Sequence, residues 1–294
     1  MFRNSQRLVY IYLYHKQGRS SSPLFIKQKA SSYTSNTSLI LSNLFFLKQP
    51  FPCANLKKHK LFFEGRDTLK YALSENRTPG AILLNMFIAT VSLFVNGFGI
   101  YLTIQANIGA APWDVLSLGL SRTLGILYGN AAIAVSFTIL IIDILLKEPI
   151  GIAMFIDAVV VGKAVDFFNW THLVAPCQSL LTAIPVMLAG LIVLAYTQYT
   201  YMMASLGCGP RDTLMVGLAR RLKRLPIGLV SVSLLGTATL IGWLLGGPVG
   251  IGTLLCAFCA GPIMQLAFRT VRFDATGVRH QRLKDSYTVL TARS

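Results

Sequence analysis

The sequence ANIGAAPWDVLSLGLSR, residues 106–122, returns almost a hundred residues later as ASLGCGPRDTLMVGLAR, residues 204–220. Aligned without gaps, the two copies share eight of their seventeen residues, whereas chance would give about one match. The shared pairs are Ala106/Ala204, Gly109/Gly207, Pro112/Pro210, Asp114/Asp212, Leu116/Leu214, Gly119/Gly217, Leu120/Leu218 and Arg122/Arg220. A second pair of segments, PIGIAMFIDAVVVG at 149–162 and PVGIGTLLCAFCAG at 248–261, extends the similarity. We therefore predict an internal duplication.

The composition places this repeat in a membrane protein. Hydrophobic residues make up 53% of the chain and charged residues 13%; the mean hydropathy is +0.57, which is far above the soluble range. Six apolar stretches approach or reach the roughly 20 residues needed to cross a bilayer. They cover residues 81–104, 131–146, 150–168, 180–203, 227–245 and 249–268. Because lipid cannot satisfy backbone polar groups, we expect an all-α, polytopic transmembrane bundle with six full spans and two short helices.

The chain divides into four segments: an N-terminal extension at 1–79, a membrane repeat at 80–175, a second membrane repeat at 176–270, and a basic cytoplasmic tail at 271–294. The extension is rich in Ser, and the first eighty residues hold 13 of the 27 Lys and Arg residues, with no acid before Glu64. Three interpretations of it stay open: an organellar transit peptide, a start codon assigned too far upstream, and a disordered basic segment lying on anionic lipid. All three put it outside the functional core.

The basic residues cluster at the ends of the apolar stretches. One cluster is RRLKR at 220–224, another is the tail at 269–293, and the third is the N-terminal extension. This distribution follows the positive-inside rule and predicts that both termini and RRLKR lie on the cytoplasmic side of the cell membrane. The net charge of +16 does not indicate nucleic-acid binding, because no nucleic-acid-binding motif accompanies it. The expected partner is the lipid bilayer; the sequence leaves the oligomeric state open.

Each copy of the repeated motif predicts the start of a short helix. In both copies a glycine permits a backbone turn, a proline suits the first helical position, and an aspartate falls in the first turn beside free N–H groups. These residues are Gly109, Pro112 and Asp114 in the first copy and Gly207, Pro210 and Asp212 in the second. The helices, at 113–124 and 211–222, would cover only about 18 Å. Broken helices at corresponding places of two repeats point to a transport site, so we predict that all six residues contribute to a substrate or ion site. The alternative is that they only cap two short helices.

The apolar stretches contain a few further charged residues, and an ionisable residue at depth in a membrane is a functional candidate. Asp157 is the most isolated of these charged residues, and we include it among the candidate substrate- or ion-binding residues. Asp143 is expected at the interface, paired with Lys147 at the i,i+4 spacing. Lys163 and Asp166 stand three residues apart on one helix face, where they are expected to neutralise each other.

Cysteine and histidine usage restricts the possible chemistry. The five cysteines lack the spacing of a disulfide framework, and Cys256-x-x-Cys259 lies inside the last apolar stretch, where small side chains serve helix packing. Of the four histidines only His172 lies near the membrane core, which excludes a multi-histidine metal site. We therefore expect no enzyme activity, no catalytic residue, no cofactor and no metal.

The pattern G-x-x-P-x-D-x-L, with G-x-G and a later Gly-Pro, resembles the YczE/YyaS/YitT group of uncharacterised bacterial integral membrane proteins. The resemblance covers residues 80–270 and is strongest from SLGCGPRDTLMVGLARR through GGPVGIGTLLCAFCAGP. The first half departs from it at GIAMFIDAVVVGKAVD, where the pattern favours Gly-Thr and Gly-Pro, and the basic extension is not part of it. The resemblance implies a multi-pass plasma-membrane protein of bacteria and supplies no substrate or catalytic residue.

Two functions are compatible with these features. The first is a permease-like protein that moves an unidentified small solute or ion through a cavity between the two repeats. The second is a membrane scaffold or assembly factor that transports nothing. With three full spans per half, the second copy must enter the membrane from the opposite side, which predicts inverted repeats. Short helices that crossed fully would instead give four spans per half and parallel repeats.

Overall fold

The computed structural model describes residues 78–222, 225–273 and 281–291. Within these ranges the chain forms nine helices and no β-strand, as the all-α prediction requires. The helices are α1 (Pro79–Gln105), α2 (Pro112–Leu124), α3 (Tyr128–Leu145), α4 (Ile152–Thr171), α5 (Leu180–Met203), α6 (Pro210–Arg221), α7 (Ile227–Leu244), α8 (Ile251–Thr270) and α9 (Leu283–Thr291). The predicted extension at 1–79 lies outside the described residues, except for its last two positions.

Four of these helices, α1, α3, α5 and α8, are long and apolar enough to cross a membrane. α7 is a shorter apolar helix, and α4 has 20 residues but carries Asp157, Lys163 and Asp166. Large apolar side chains such as Phe87 and Leu181 are exposed on the outside of the bundle, as lipid contact requires. The structure therefore supports a membrane-spanning helical protein with at least four of the six predicted spans.

The two longest helices, α1 and α5, pack against each other in opposite directions. Near the middle of α1, Asn96 Nδ2 donates to Thr197 Oγ1 at 2.9 Å. One turn further along α1, a Cβ on Gly99 would lie 3.1 Å from the carbonyl oxygen of Gly190. Because the partner number falls as the α1 number rises, the pair is antiparallel, and its glycines allow close backbone approach.

Each of these central helices is flanked by a parallel neighbour. α4 follows the direction of α1: Gly97 lies against Ala164, and Gln105 Nε2 donates to Asn169 Oδ1 at 3.3 Å. α8 follows the direction of α5: Gly252 lies against Met187 near their starts, and the Tyr196 and Thr270 hydroxyl groups lie 3.1 Å apart further along. The chain thus places one parallel pair, α1 and α4, against a second parallel pair, α5 and α8, that runs the opposite way.

The short helices α2 and α6 complete the bundle by packing on α7 and α3, respectively. α2 has 13 residues and α6 has 12, so each is about half as long as α5. Their bounds differ by one residue from those that the sequence predicts. The predicted stretch 180–203 coincides with α5, because Ser179 accepts the Leu181 N–H at the N-cap and the chain leaves the helix at Ala204.

Candidate functional site

The loop before α2 is held by the start of α8. Gly109 has φ +113°, a backbone conformation that favours glycine, and a Cβ there would lie 2.7 Å from the backbone nitrogen of Gly250. The Gly252 N–H donates to the Ile108 carbonyl at 2.7 Å. A loop from the first half of the chain is therefore fixed by a glycine-rich helix start in the second half.

The loop before α6 is held in the corresponding way by the start of α4. Gly207 has φ +124°, and a Cβ there would lie 2.8 Å from the Cα of Gly151. The Ala153 N–H donates to the Leu206 carbonyl at 3.2 Å. Each loop thus depends on a Pro-x-Gly segment of the opposite half, which gives a physical reason for the presence of both motifs in both halves.

Both short helices begin as their sequences predict. Pro112 and Pro210 occupy the first helical turn, after the extended N-cap residues Ala111 and Gly209. Neither N-cap residue offers a side-chain hydrogen bond, so the acidic residue in the first turn is the local group that complements the helix start. These acidic residues are Asp114 in α2 and Asp212 in α6.

The starts of α2 and α6 meet inside the bundle through Arg211. Its Nη1 lies 3.8 Å from Asp114 Oδ1, and its guanidinium carbon lies 5.6 Å from the centre of the Trp113 ring. Asp114 is only 3% exposed and also accepts a hydrogen bond from the Tyr128 hydroxyl at 2.9 Å. One residue of the second motif is therefore engaged by two consecutive residues of the first.

A polar cavity of about 140 Å³ lies beside this contact. It is lined by side chains from α1, α3, α4, α5 and α6 and by the loop that precedes α6. The lining residues are Asn96, Ile100, Ala132, Ser136, Asp157, Ala158, Val161, Gly162, Gln198, Tyr201, Gly209, Arg211 and Asp212. Both halves of the chain contribute to it.

Four polar side chains characterise the cavity wall. Gln198 Nε2 donates to Asp212 Oδ2 at 3.4 Å. Asp157 Oδ2 would lie 3.0 Å from a Cβ on Gly209, so the glycine leaves the room that the carboxylate occupies. Tyr201 is 3% exposed, and its buried hydroxyl has no hydrogen-bond partner. An unpaired buried hydroxyl is costly, and it marks the cavity as a place where a ligand atom would be accommodated.

The predicted site residues fall into two groups. Asp157 and Asp212 line the cavity, and Asp114 contacts its edge through Arg211. The predicted glycines and prolines shape the two loops and helix starts instead of lining the cavity; these are Gly109, Pro112, Gly207 and Pro210. Their contribution to substrate or ion binding stays a prediction.

Sequence reasoning missed several groups of the cavity. Arg211 was passed over because it follows Pro210 in a helix that ends in further arginines. Trp113 occupies the position in the first motif that corresponds to Arg211 in the second. This replacement of an aromatic residue by a cation inside a repeated motif could have identified Arg211 as a candidate. Gln198 and Tyr201 lie on an apolar helix with no motif around them, so their place in the wall follows only from packing.

Two predicted ion pairs are wrong. Asp143 is fully buried in the bundle, and neither of its carboxylate oxygens has a hydrogen-bond partner, so it is not paired with Lys147; its place at the membrane interface stays a prediction. Lys163 Nζ donates instead to Asn130 Oδ1 at 2.8 Å. Asp166 Oδ1 accepts the backbone N–H of Gly129 at 2.7 Å. Lys163 and Asp166 on α4 therefore each bind a residue of α3 and not each other.

A further ion cluster lies where the chain leaves α3. Glu148 is 9% exposed, and its two carboxylate oxygens accept hydrogen bonds from Arg220 and Arg221, each at 2.5 Å. Both arginines belong to the basic run at the end of α6. This contact ties α6 to the first half of the chain at the end opposite the cavity. Among the described residues, no group of three or more His, Cys, Asp or Glu is placed to hold a metal ion.

The fold and the cavity define a polytopic helical membrane protein with a polar site inside its bundle. Comparison with known proteins agrees: the chain belongs to the family of unknown function DUF6198, whose profile matches residues 83–269. It is 31% identical over 182 residues to the uncharacterized membrane protein YczE of Bacillus subtilis, covering 60% of this chain and 81% of that protein. It is 27% identical over 181 residues to YyaS of the same organism, covering 60% and 88%.

An uncharacterized protein of Haemophilus influenzae is 31% identical over 174 residues, covering 59% of this chain and 78% of that protein. The resemblance to the YczE and YyaS proteins is therefore confirmed, and the matched region coincides with the helical bundle. No solved structure matches the chain.

Proposed function

We propose that this protein is a permease that moves a small solute through the cavity between two inverted repeats. The observation that carries the proposal is the meeting of two Gly/Pro-started short helices at one polar cavity inside a membrane bundle. Non-helical backbone at membrane depth is tolerated where it is buried in protein or lines a cavity. When it occurs at corresponding positions of two halves, it is the feature expected of a transport site.

The proposed repeats are α1 to α4 and α5 to α8. The antiparallel pairing of α1 with α5 supports inversion, because equivalent first helices would cross the membrane in opposite directions. The two loop contacts support the same relation, since Gly109 meets Gly250 and Gly207 meets Gly151. The contacts of α2 with α7 and of α6 with α3 support the same relation.

In this arrangement α4 and α7 complete six spans, and α2 and α6 do not cross. α4 has 20 residues, which at 1.5 Å per residue reaches about 30 Å, the thickness of the hydrocarbon core. Its three charged residues are compatible with a span because they face the cavity or α3. We place the protein in the cell membrane with both termini in the cytoplasm, and we propose a transport role without catalysis.

The scaffold alternative has one observation in its favour. An apolar groove of about 520 Å³ opens between α7 and α8, with Trp243 and Phe258 among its lining residues. A partner helix fits such a groove as well as lipid does. A scaffold would need this outer surface, whereas a permease needs the inner cavity to reach both sides of the membrane.

Access to the cavity separates the two functions. Ser136 lines the cavity and is 6% exposed, so a Ser136→Cys variant in a background without native cysteines reports on it. We expect a membrane-impermeant thiol reagent to label this variant from either side, in right-side-out and inside-out vesicles. Ser117→Cys is the matched control: Ser117 is 0% exposed, lies on α2, and should be labelled from neither side. Labelling of Ser136→Cys from one side only, or from neither, would overturn the permease proposal.

A further inference from the structure

We propose that the cavity is a binding site for one small monovalent cation of the alkali type, held by Asp157, Asp212 and neutral oxygen atoms of the wall. This inference rests on the proposed function, because it names the class of solute or coupling ion that the permease would carry. It is carried by the charge balance of the cavity and by the unpartnered hydroxyl of Tyr201.

The charges around the cavity do not cancel when all three of its carboxylates are ionised. Three carboxylates are present, since Asp157 and Asp212 line the wall and Asp114 lies beside Arg211. Arg211 is the one cation among the lining residues. The helix starts of α2 and α6 each add about half a positive elementary charge, which leaves an excess of about one negative charge. Burying an unneutralised carboxylate is unfavourable, so a single bound cation would stabilise the site.

Arg211 alone cannot balance the charge of the site, because one guanidinium group serves three carboxylates. Its guanidinium lies beside Asp114 on one side and over the Trp113 ring on the other. Its charge also acts on Asp157 and Asp212, so a single positive charge is shared among three carboxylates. This arrangement favours a cationic ligand over an anionic one, since an anion would add to the existing excess.

The wall offers oxygen atoms suited to a hard cation. Gln198 uses its nitrogen to donate to Asp212, and Asn96 uses its nitrogen to donate to Thr197. Each amide therefore keeps its carbonyl oxygen as an acceptor. The Tyr201 hydroxyl is buried without a partner. Carboxylate, amide and hydroxyl oxygens are ligands for hard cations, not for the softer metals that prefer sulfur and imidazole.

The dimensions and composition also argue for a monovalent ion. The cavity of about 140 Å³ has room for a small ion that keeps some of its water. Only two carboxylates line it, and no cluster of three metal-ligating side chains occurs in the described part of the chain. A divalent ion would over-neutralise a site whose excess is about one charge.

Thermal unfolding of the purified full-length protein in detergent tests the inference. The protein is heated in sodium, potassium or N-methylglucamine chloride at equal pH and ionic strength. We expect sodium or potassium to raise Tm relative to N-methylglucamine by about 5–10 °C once the free ion reaches about 100 times its Kd. Equal Tm values in all three salts would overturn the inference, and so would a shift that follows the anion when chloride is replaced by gluconate.

Two variants and one control locate the effect. Asp157→Asn should abolish the alkali-dependent shift, and Tyr201→Phe should weaken the apparent affinity about 5-fold through loss of one ligand oxygen. Asp285→Asn changes a carboxylate on α9 that does not line the cavity, so this variant should keep the full shift. If both cavity variants respond to sodium like the wild type, the ion binds elsewhere and the assignment is wrong.

The outcomes for the cation and for transport are separable. Ser136→Cys labelled from both sides without an alkali-dependent Tm shift would overturn the cation inference and keep the permease. An alkali-dependent shift that needs Asp157, with labelling from one side only, would keep the cation site and overturn transport.

Discussion

Replacement of Gly207 by alanine tests whether the reciprocal loop contacts hold the two halves together. Two costs add at this position. The residue has φ +124°, and holding a side chain in such a conformation costs about 1–3 kcal/mol. The new Cβ would also lie 2.8 Å from the Cα of Gly151, and overpacking of a well-packed site costs about 1–3 kcal/mol.

The sum is about 2–6 kcal/mol, which corresponds to a fall in Tm of about 4–24 °C for a chain of this size. Two controls separate the contributions. Gly125→Ala introduces a side chain at φ +65° with nothing within 4 Å, so it measures the backbone cost alone, about 1–2 kcal/mol. Gly236→Ala lies in a helix with open space around it and should raise the stability by about 0.5–1 kcal/mol.

Differential scanning fluorimetry in detergent, with equal protein and detergent concentrations, ranks the three variants. The expected order of Tm is Gly236→Ala highest, then wild type, Gly125→Ala and Gly207→Ala. A Gly207→Ala protein that unfolds at the same temperature as Gly125→Ala would show that the approach to Gly151 is not tight. The loop contacts would then not explain why the motifs occur in both halves.

Three further substitutions probe other contacts. Glu148→Gln removes the charge that binds two arginines of α6 and should lower the free energy of unfolding by about 1–3 kcal/mol, with a smaller loss at high salt, measured by Tm across a salt series. Gly242→Ala would bring a Cβ within 2.6 Å of backbone atoms of α2 and should cost about 1–3 kcal/mol, in contrast to the gain expected for Gly236→Ala on the same helix. Arg211→Gln should lower Tm in N-methylglucamine and enlarge the stabilisation by sodium, because it leaves one more negative charge unbalanced; an unchanged sodium shift would contradict this.

The sequence predicted the parts of the fold that depend on local physics. The short helices begin at Pro112 and Pro210 because glycine, proline and aspartate at these spacings favour a turn followed by a helix start, regardless of what surrounds them. The bounds of α5 could equally be predicted, since hydropathy and a serine N-cap are local signals.

The partners of charged side chains could not be predicted from the sequence in the same way. The i,i+4 spacing of Asp143 and Lys147 describes a neighbourhood on one helix, but a buried helix has nearer groups on other helices. Lys163 illustrates this, because its ammonium group donates a hydrogen bond to Asn130 on α3. The contact of Arg211 with Asp114 joins residues almost a hundred positions apart, and no spacing rule predicts it.

The difference between the two halves matters as much as their likeness. A symmetrical pair of half-helices would form two equivalent sites, yet the polar cavity occurs on one side of the contact. Asp157 corresponds to Cys256 in the second half, and Cys256 packs in an apolar cluster with Met187 and Leu191. Asp157 therefore adds a charge to the cavity wall, whereas Cys256 adds a small side chain to a packed apolar cluster. If the two halves are inverted repeats, as we propose, the shared motif accounts for the two short helices and their reciprocal support, and the difference between Asp157 and Cys256 accounts for part of the charge at the site.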